Sequence, residues 1–188
     1  MSCNLPRPSA SNYMSLFDTA LVDAHFPIFR PEETSMIQVV VDPITGQENA
    51  IDPREPIGAL AEFYRAFNTR DLALMEKNWA SSDEVSMENT LGGIKRRWSE
   101  IRQSYEHIFG SRSAIRIELY DYTIHDLGET FLAVGRERGT LRIERHVIDL
   151  KIRTSRLFQL IGGRWRQFHH HGSVEDPELL ARYQAAVH

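Results

Sequence analysis

RTSRLFQLIGGRWRQFHHHGSV, residues 153–174, sets two adjacent glycines between two runs rich in β-branched and aromatic residues. Glycine tolerates the positive φ that a two-residue hairpin loop demands, so Gly162-Gly163 reads as the turn between two antiparallel strands. That loop length fixes a register. Leu160 then faces Trp165, Phe158 faces Gln167, Arg156 faces His169, Thr154 faces His171, and Ile152 faces Ser173, each pair sharing one face of the sheet. Ile148, Leu150, Ile152, Phe158 and Leu160 make this the more apolar parity of the longer strand, so it should turn toward the core. The same register carries Thr154, Arg156, His169 and His171 inward, whereas a three-residue loop would swap the parity of one strand.

Upstream of the hairpin, strands are expected over 130–141 and 147–161, and another over 115–124, where the apolar parity switches from Ile115, Ile117 and Leu119 to Tyr120, Tyr122 and Ile124. One extra residue near Leu119 or Tyr120 leaves that signature, so a β-bulge is predicted there. Before Gly110 the period is helical. Pro56 suits the first position of a helix with Ile57, Leu60, Ala61, Tyr64 and Phe67 on its buried stripe. Asp71 can cap a second helix carrying Leu72, Met75 and Trp79. After a short strand around Val85–Met87, Gly92-Gly93 is read as the entry to a third helix bearing Ile94, Trp98, Ile101, Tyr105 and Ile108, ended by Gly110. Asp176-Pro177 starts a last helix. Residues 1–55 read as an extension: a polar tail, an amphipathic helix over Tyr13–Phe26, and a strand or hairpin at Met36–Val41 followed by a turn. Residues 56–174 form the main α+β domain, and 175–188 a C-terminal helix.

The composition narrows the function classes. Of 188 residues, 41% are hydrophobic and 26% charged, enough apolar surface for a core. Twenty-two basic against 26 acidic side chains leave a net charge of -4, with no global positive field for nucleic acid. A single cysteine, Cys3, cannot form an internal disulfide, and no apolar run approaches the length of a membrane span. The expectation is a cytoplasmic protein with neither nucleic acid nor membrane as partner.

Cations aimed into an apolar interior are costly to desolvate unless they are paired or a cavity keeps them wet. Arg156, His169 and His171 therefore predict a polar-floored pocket, in which an imidazole beside the guanidinium stays neutral and can accept a proton. Such an imidazole suits a base and a binding site equally, and the alternative reading makes the histidines hydrogen-bonded core residues or groups facing a second copy. His169 and His171 also have the spacing of two metal ligands on one strand face. Glu88 or His146 would be the third, but spacing fixes neither, so no metal or other cofactor is expected. Tyr64, Trp98 and Tyr122 are the aromatic candidates for the pocket walls. The arginines at 136, 138, 153, 164 and 166, interleaved with Glu118, Glu137 and Asp149, read as a solvated or dimer-facing sheet surface.

FYRAFNTRDL at 63–72, the Gly92-Gly93 pair, RTSRLF at 153–158 and GGRWRQFHHHGS at 162–173 together resemble the nuclear transport factor 2-like superfamily, specifically its SnoaL-like branch. The last segment also looks like the terminal strand of calcium/calmodulin-dependent kinase association domains. The resemblance covers about Ile57 to Ser173. It implies a cone-shaped fold in which a curved antiparallel sheet wraps helices around a cavity, usually as a homodimer. The superfamily includes isomerases, dehydratases, polyketide cyclases and non-catalytic association modules, so fold does not name an activity. Against the ketosteroid isomerase pattern, Phe63 stands where a tyrosine belongs and Met87 near where the aspartate base would fall. Two readings follow. In one, the chain binds a small apolar or cyclic molecule, with His169 or His171 as base, Arg156 as anion stabiliser, and Thr154, Glu88, Tyr64, Trp98 and Tyr122 around the ligand. In the other it is a non-catalytic association module.

Overall fold

The computed structural model describes residues 38–187. The expected tail, the helix over Tyr13–Phe26 and the beginning of the Met36–Val41 strand lie outside them. Proline at the first turn opens α1 (Pro56–Thr69), which ends where Arg70 takes a left-handed φ of 58°. Asp71 then caps α2 (Leu72–Asn78), its carboxylate accepting from Leu74 N at 2.9 Å. β1 (Ser86–Glu88), β2 (Ile94–Arg96), α3 (Arg97–Gly110), β3 (Ala114–Asp126), β4 (Thr130–Ile143), β5 (His146–Ile161), β6 (Arg164–Val174) and α4 (Pro177–Val187) complete the order.

The strands form one curved six-stranded sheet in the order β2-β1-β6-β5-β4-β3, antiparallel except for the parallel β1–β6 pair. The architecture is α+β, with α1, α2 and α3 on the face that collects the apolar parity. There Phe131 and Phe158 stack at 4.7 Å with Trp165 edge-on at 5.0 Å. Phe63, Phe67, Tyr105 and Phe109 pack as a second aromatic group from α1 and α3. Among the described residues no helix is long and apolar enough to cross a membrane.

The predicted bulge in β3 falls at Asp121-Tyr122, where pairing passes from Tyr120↔Arg136 to Thr123↔Val134 and Asp121 adopts φ 47°. It turns Tyr122 inward over Gly135, where an added Cβ would sit 2.5 Å from that of Tyr122. Two expectations around α3 are corrected. Gly92 and Gly93 take φ of 102° and 90° and close a tight turn between β1 and β2, so Ile94–Arg96 is a strand and the helix starts at Arg97. Left-handed glycines suit a hairpin better than a helix entry, and the helical spacing of Ile94 with Trp98 is coincidental. Gly110 stays within the helix, which ends at an extended Ser111.

Residues 40–55 pack onto the domain. Val40 pairs with Tyr122 and Ile44 with Leu119 along the outer edge of β3. Asn68 of α1 clamps this strap by donating to Thr45 O and Ile117 O while accepting from Ile117 N.

Candidate functional site

The hairpin closes as read, with Gly162 and Gly163 at positive φ and the pairs Ile161↔Arg164, Leu160↔Trp165 and Phe158↔Gln167. Beyond Gln167 the register slips. Leu157 pairs with His169, Arg156 with His170 and Thr154 with Gly172, so Phe168 is an extra residue in β6. One inserted residue exchanges the two faces of everything that follows. His170, not His169 or His171, points inward beside Arg156 and is 8% exposed.

The expectation for His169 and His171 is corrected accordingly: both lie on the outer face. His169 Nδ1 is 2.8 Å from Ser86 Oγ, and His171 Nδ1 bonds Glu88, both partners coming from the adjoining strand β1. The bulge has an energetic logic. Without it two imidazoles would be buried against a cation; with it a single one is, and its neighbours find polar partners on β1.

Inside, Arg156 and Glu137 form a buried ion pair at 2.6 Å, their side chains 1% and 2% exposed. Tyr64 donates to the same carboxylate oxygen at 2.7 Å and accepts from Arg156 Nε at 3.3 Å, while Arg156 Nη1 reaches Gln167 Oε1 at 3.0 Å. The Phe63 ring lies 3.6 Å from the guanidinium carbon. Burial alone would push the Arg156 pKa down, but the Tyr64 and Glu137 oxygens outweigh it and hold the group charged. Glu137, read from the sequence as part of a solvated or dimer-facing surface, instead faces in because its position pairs with inward Ile152.

This cluster lies at the floor of a cavity of about 720 Å³ between the sheet and α3. Phe63, Tyr105, Glu137, Arg156 and His170 are among its lining, with Ile115, Ile117, Leu150 and Ile152 on the apolar side and Tyr183 of α4. Two of these groups are buried with unpartnered polar atoms: the Tyr105 hydroxyl and both ring nitrogens of His170. Burial, and then the Arg156 charge, push His170 well below its ordinary pKa, leaving a neutral imidazole. Burial pushes the Tyr105 phenol up, so it stays protonated.

Of the residues singled out from the sequence, Arg156 lines the cavity and Tyr64 supports it from behind. Thr154 is buried and donates to His171 O, Trp98 packs against Trp79 with its indole N–H toward Glu76, and Tyr122 lies under the strap. Those three do not line the cavity, nor do Glu88, His169 and His171. Missed were His170, hidden by the bulge, and Glu137, hidden among alternating surface charges. Among the described residues no three His, Cys, Asp or Glu side chains come together as a metal site.

Residues 58–177 match the family model of the SnoaL-like domain. The F-box protein SKIP8 of Arabidopsis thaliana is 25% identical over 149 residues, covering 79% of this chain; the chain spans 61% of the length of that relative. Two solved structures share the fold at 20% identity. One, from Streptomyces avermitilis and provisionally assigned as a dehydratase of the nuclear transport factor 2-like family, has a TM-score of 0.57 over 62% of this chain and 90% of its own. The other, from Thiobacillus denitrificans and provisionally assigned as a calcium/calmodulin-dependent protein kinase type II association domain, has a TM-score of 0.58 over 68% and 99%.

Proposed function

The chain belongs to the SnoaL-like domain family, and from its cavity we propose that it binds a small, largely apolar molecule and carries out acid-base chemistry on it, of the isomerase, dehydratase or cyclase kind. The observation that carries this reading is the buried, neutral His170 with both nitrogens unpartnered beside a cavity of about 720 Å³. A buried polar atom without a partner costs about 1–3 kcal/mol, which a ligand carbonyl or hydroxyl would offset.

The roles differ from those the sequence suggested. Arg156 has each of its nitrogens committed, and Glu137 cancels its charge. It therefore orders the floor and leaves anion recognition to other groups. His170 and Tyr105 carry the unpartnered polar atoms of the lining; those atoms are buried, so a ligand oxygen bonds them once the side chains turn into the cavity. An imidazole held neutral donates to charge developing on a carbonyl oxygen, and the Glu137 carboxylate facing the same space is the candidate proton acceptor. A thermal-shift screen of apolar ketones, enones and hydroxylated rings tests the reading. Hits should stabilise the wild type and lose most of their effect in His170→Ala and Tyr105→Phe. Hits that bind those two variants undiminished would remove the site.

A second reading is favoured by the outer face of the sheet, where Ile94, 51% exposed, and Val134, 42% exposed, stand at the two ends of one row through Glu88, His171 and Ser155. Here two copies pair through this face as a homodimer. Light scattering on the wild type and Val134→Glu tests it: a monomeric wild type excludes it, and a dimer dissociated by the glutamate supports it.

A further inference from the structure

The cavity is not uniform in charge, and its asymmetry bears on what it holds. Lys95 pairs with Met87 across β2 and β1, Met87 with His170 across β1 and β6, and His170 with Arg156 across β6 and β5. Cross-strand partners share a face, so Lys95, Met87, His170 and Arg156 form one row on the cavity side. At about 4.8 Å between neighbouring strands, Lys95 stands about 10 Å from His170, backbone to backbone. Lys95 is exposed and lines the cavity, and among the described residues its ammonium makes no hydrogen bond or ion pair. The acid at that end, Glu100, accepts from Arg96 N at 3.1 Å and pairs with Arg97 at 3.9 Å. Deeper in, Arg156 and Glu137 neutralise each other and His170 is uncharged. The row therefore runs from a free cation at the rim to neutral hydrogen-bonding groups at the floor, with Ile115, Ile117, Ile143, Leu150 and Ile152 beyond.

Resting on the reading of the cavity as a ligand site, we infer that the ligand is an amphipathic acid: its carboxylate is held by Lys95 at the rim, a carbonyl or hydroxyl meets His170 and Tyr105, and its apolar body fills the isoleucine-lined end. A neutral ligand would leave the Lys95 ammonium in water and gain nothing from it. Arg112, which follows α3, is exposed, also lines the cavity and is likewise unpaired among the described residues, but it stands off this row; the carboxylate is assigned to Lys95 because Lys95 is the cation aligned with His170. The cavity volume suits a molecule of drug size.

The experiment is a fluorescence titration of the full chain with dansyl-aminoundecanoic acid and, separately, its methyl ester. The acid is expected to bind about tenfold tighter than the ester, the ratio worth one charge-assisted contact. Lys95→Gln should remove that ratio by weakening the acid alone, and His170→Ala should weaken both probes. Equal affinity for acid and ester in the wild type overturns the inference, as does a preference that survives Lys95→Gln. So does a preference abolished instead by Arg112→Gln, which would place the carboxylate at the far end of α3. If acid and ester bind equally but both lose affinity in His170→Ala, the ligand-binding reading stands and only the charge assignment falls. If neither probe binds, both fall.

Discussion

Replacing Glu137 with Gln removes the charge opposite Arg156 and leaves the shape of the floor intact. The guanidinium is then a cation with a side chain 1% exposed, at 3.0 Å from Gln167 Oε1 and 3.3 Å from the Tyr64 hydroxyl, and with no anion in reach. Breaking a buried pair from one side costs about 3–5 kcal/mol, because desolvation of the survivor is no longer offset. In a chain of this size each kcal/mol lowers Tm by roughly 2–4 °C, so a fall of at least about 6 °C is expected. Removing both charges together, as Glu137→Leu with Arg156→Met, should restore most of the loss, since a packed apolar pair escapes both desolvation costs. Urea denaturation followed by tryptophan fluorescence measures all three proteins. A single substitution costing under about 1 kcal/mol, or a double variant less stable than the single, would refute the claim that this is a desolvated, mutually compensating pair.

Other outcomes follow from the same geometry. His170 is held neutral in the fold, whereas the unfolded chain takes up a proton as pH falls below the ordinary histidine value of 6.5. Its contribution to stability is therefore complete above that pH and is lost below it at about 1.4 kcal/mol per pH unit, down to its folded pKa. His170→Gln should flatten the stability profile between pH 6.5 and 5, by denaturation at each pH. Gly139→Ala would put a Cβ 1.9 Å from the Arg116 carbonyl oxygen, and prising β3 from β4 should cost about 1–3 kcal/mol in urea. His171→Ala should leave probe binding in the cavity unchanged while speeding amide exchange in β1, which it ties through Glu88. Asp71→Ala should cost about 1 kcal/mol through loss of the α2 cap.

The bulge at Phe168 shows where sequence reading stopped. Gly162-Gly163 and the alternation of Leu160, Phe158, Trp165 and Gln167 carry the hairpin locally, because a two-residue turn and a period of two need no knowledge of the rest of the chain. Nothing in Gln-Phe-His-His-His says which residue is supernumerary. That is settled by which imidazole can share the interior with Arg156 and which can find Ser86 and Glu88 on β1, a strand about eighty residues away. Gly92-Gly93 fails for a related reason: the pair signals a left-handed turn, and only pairing with β1 decides that a strand, not a helix, follows.

Length, composition, helix starts at Pro56 and Asp71, the sheet with its first bulge, and the family resemblance were all written in short-range pattern, since caps, turns and periodicity act over a few residues. Which histidine faces the cavity, that Glu137 answers Arg156, and that Lys95 shares their row were decided by the tertiary structure alone. Those facts depend on strand registers, and a register is an energy shared between chains of residues far apart in sequence.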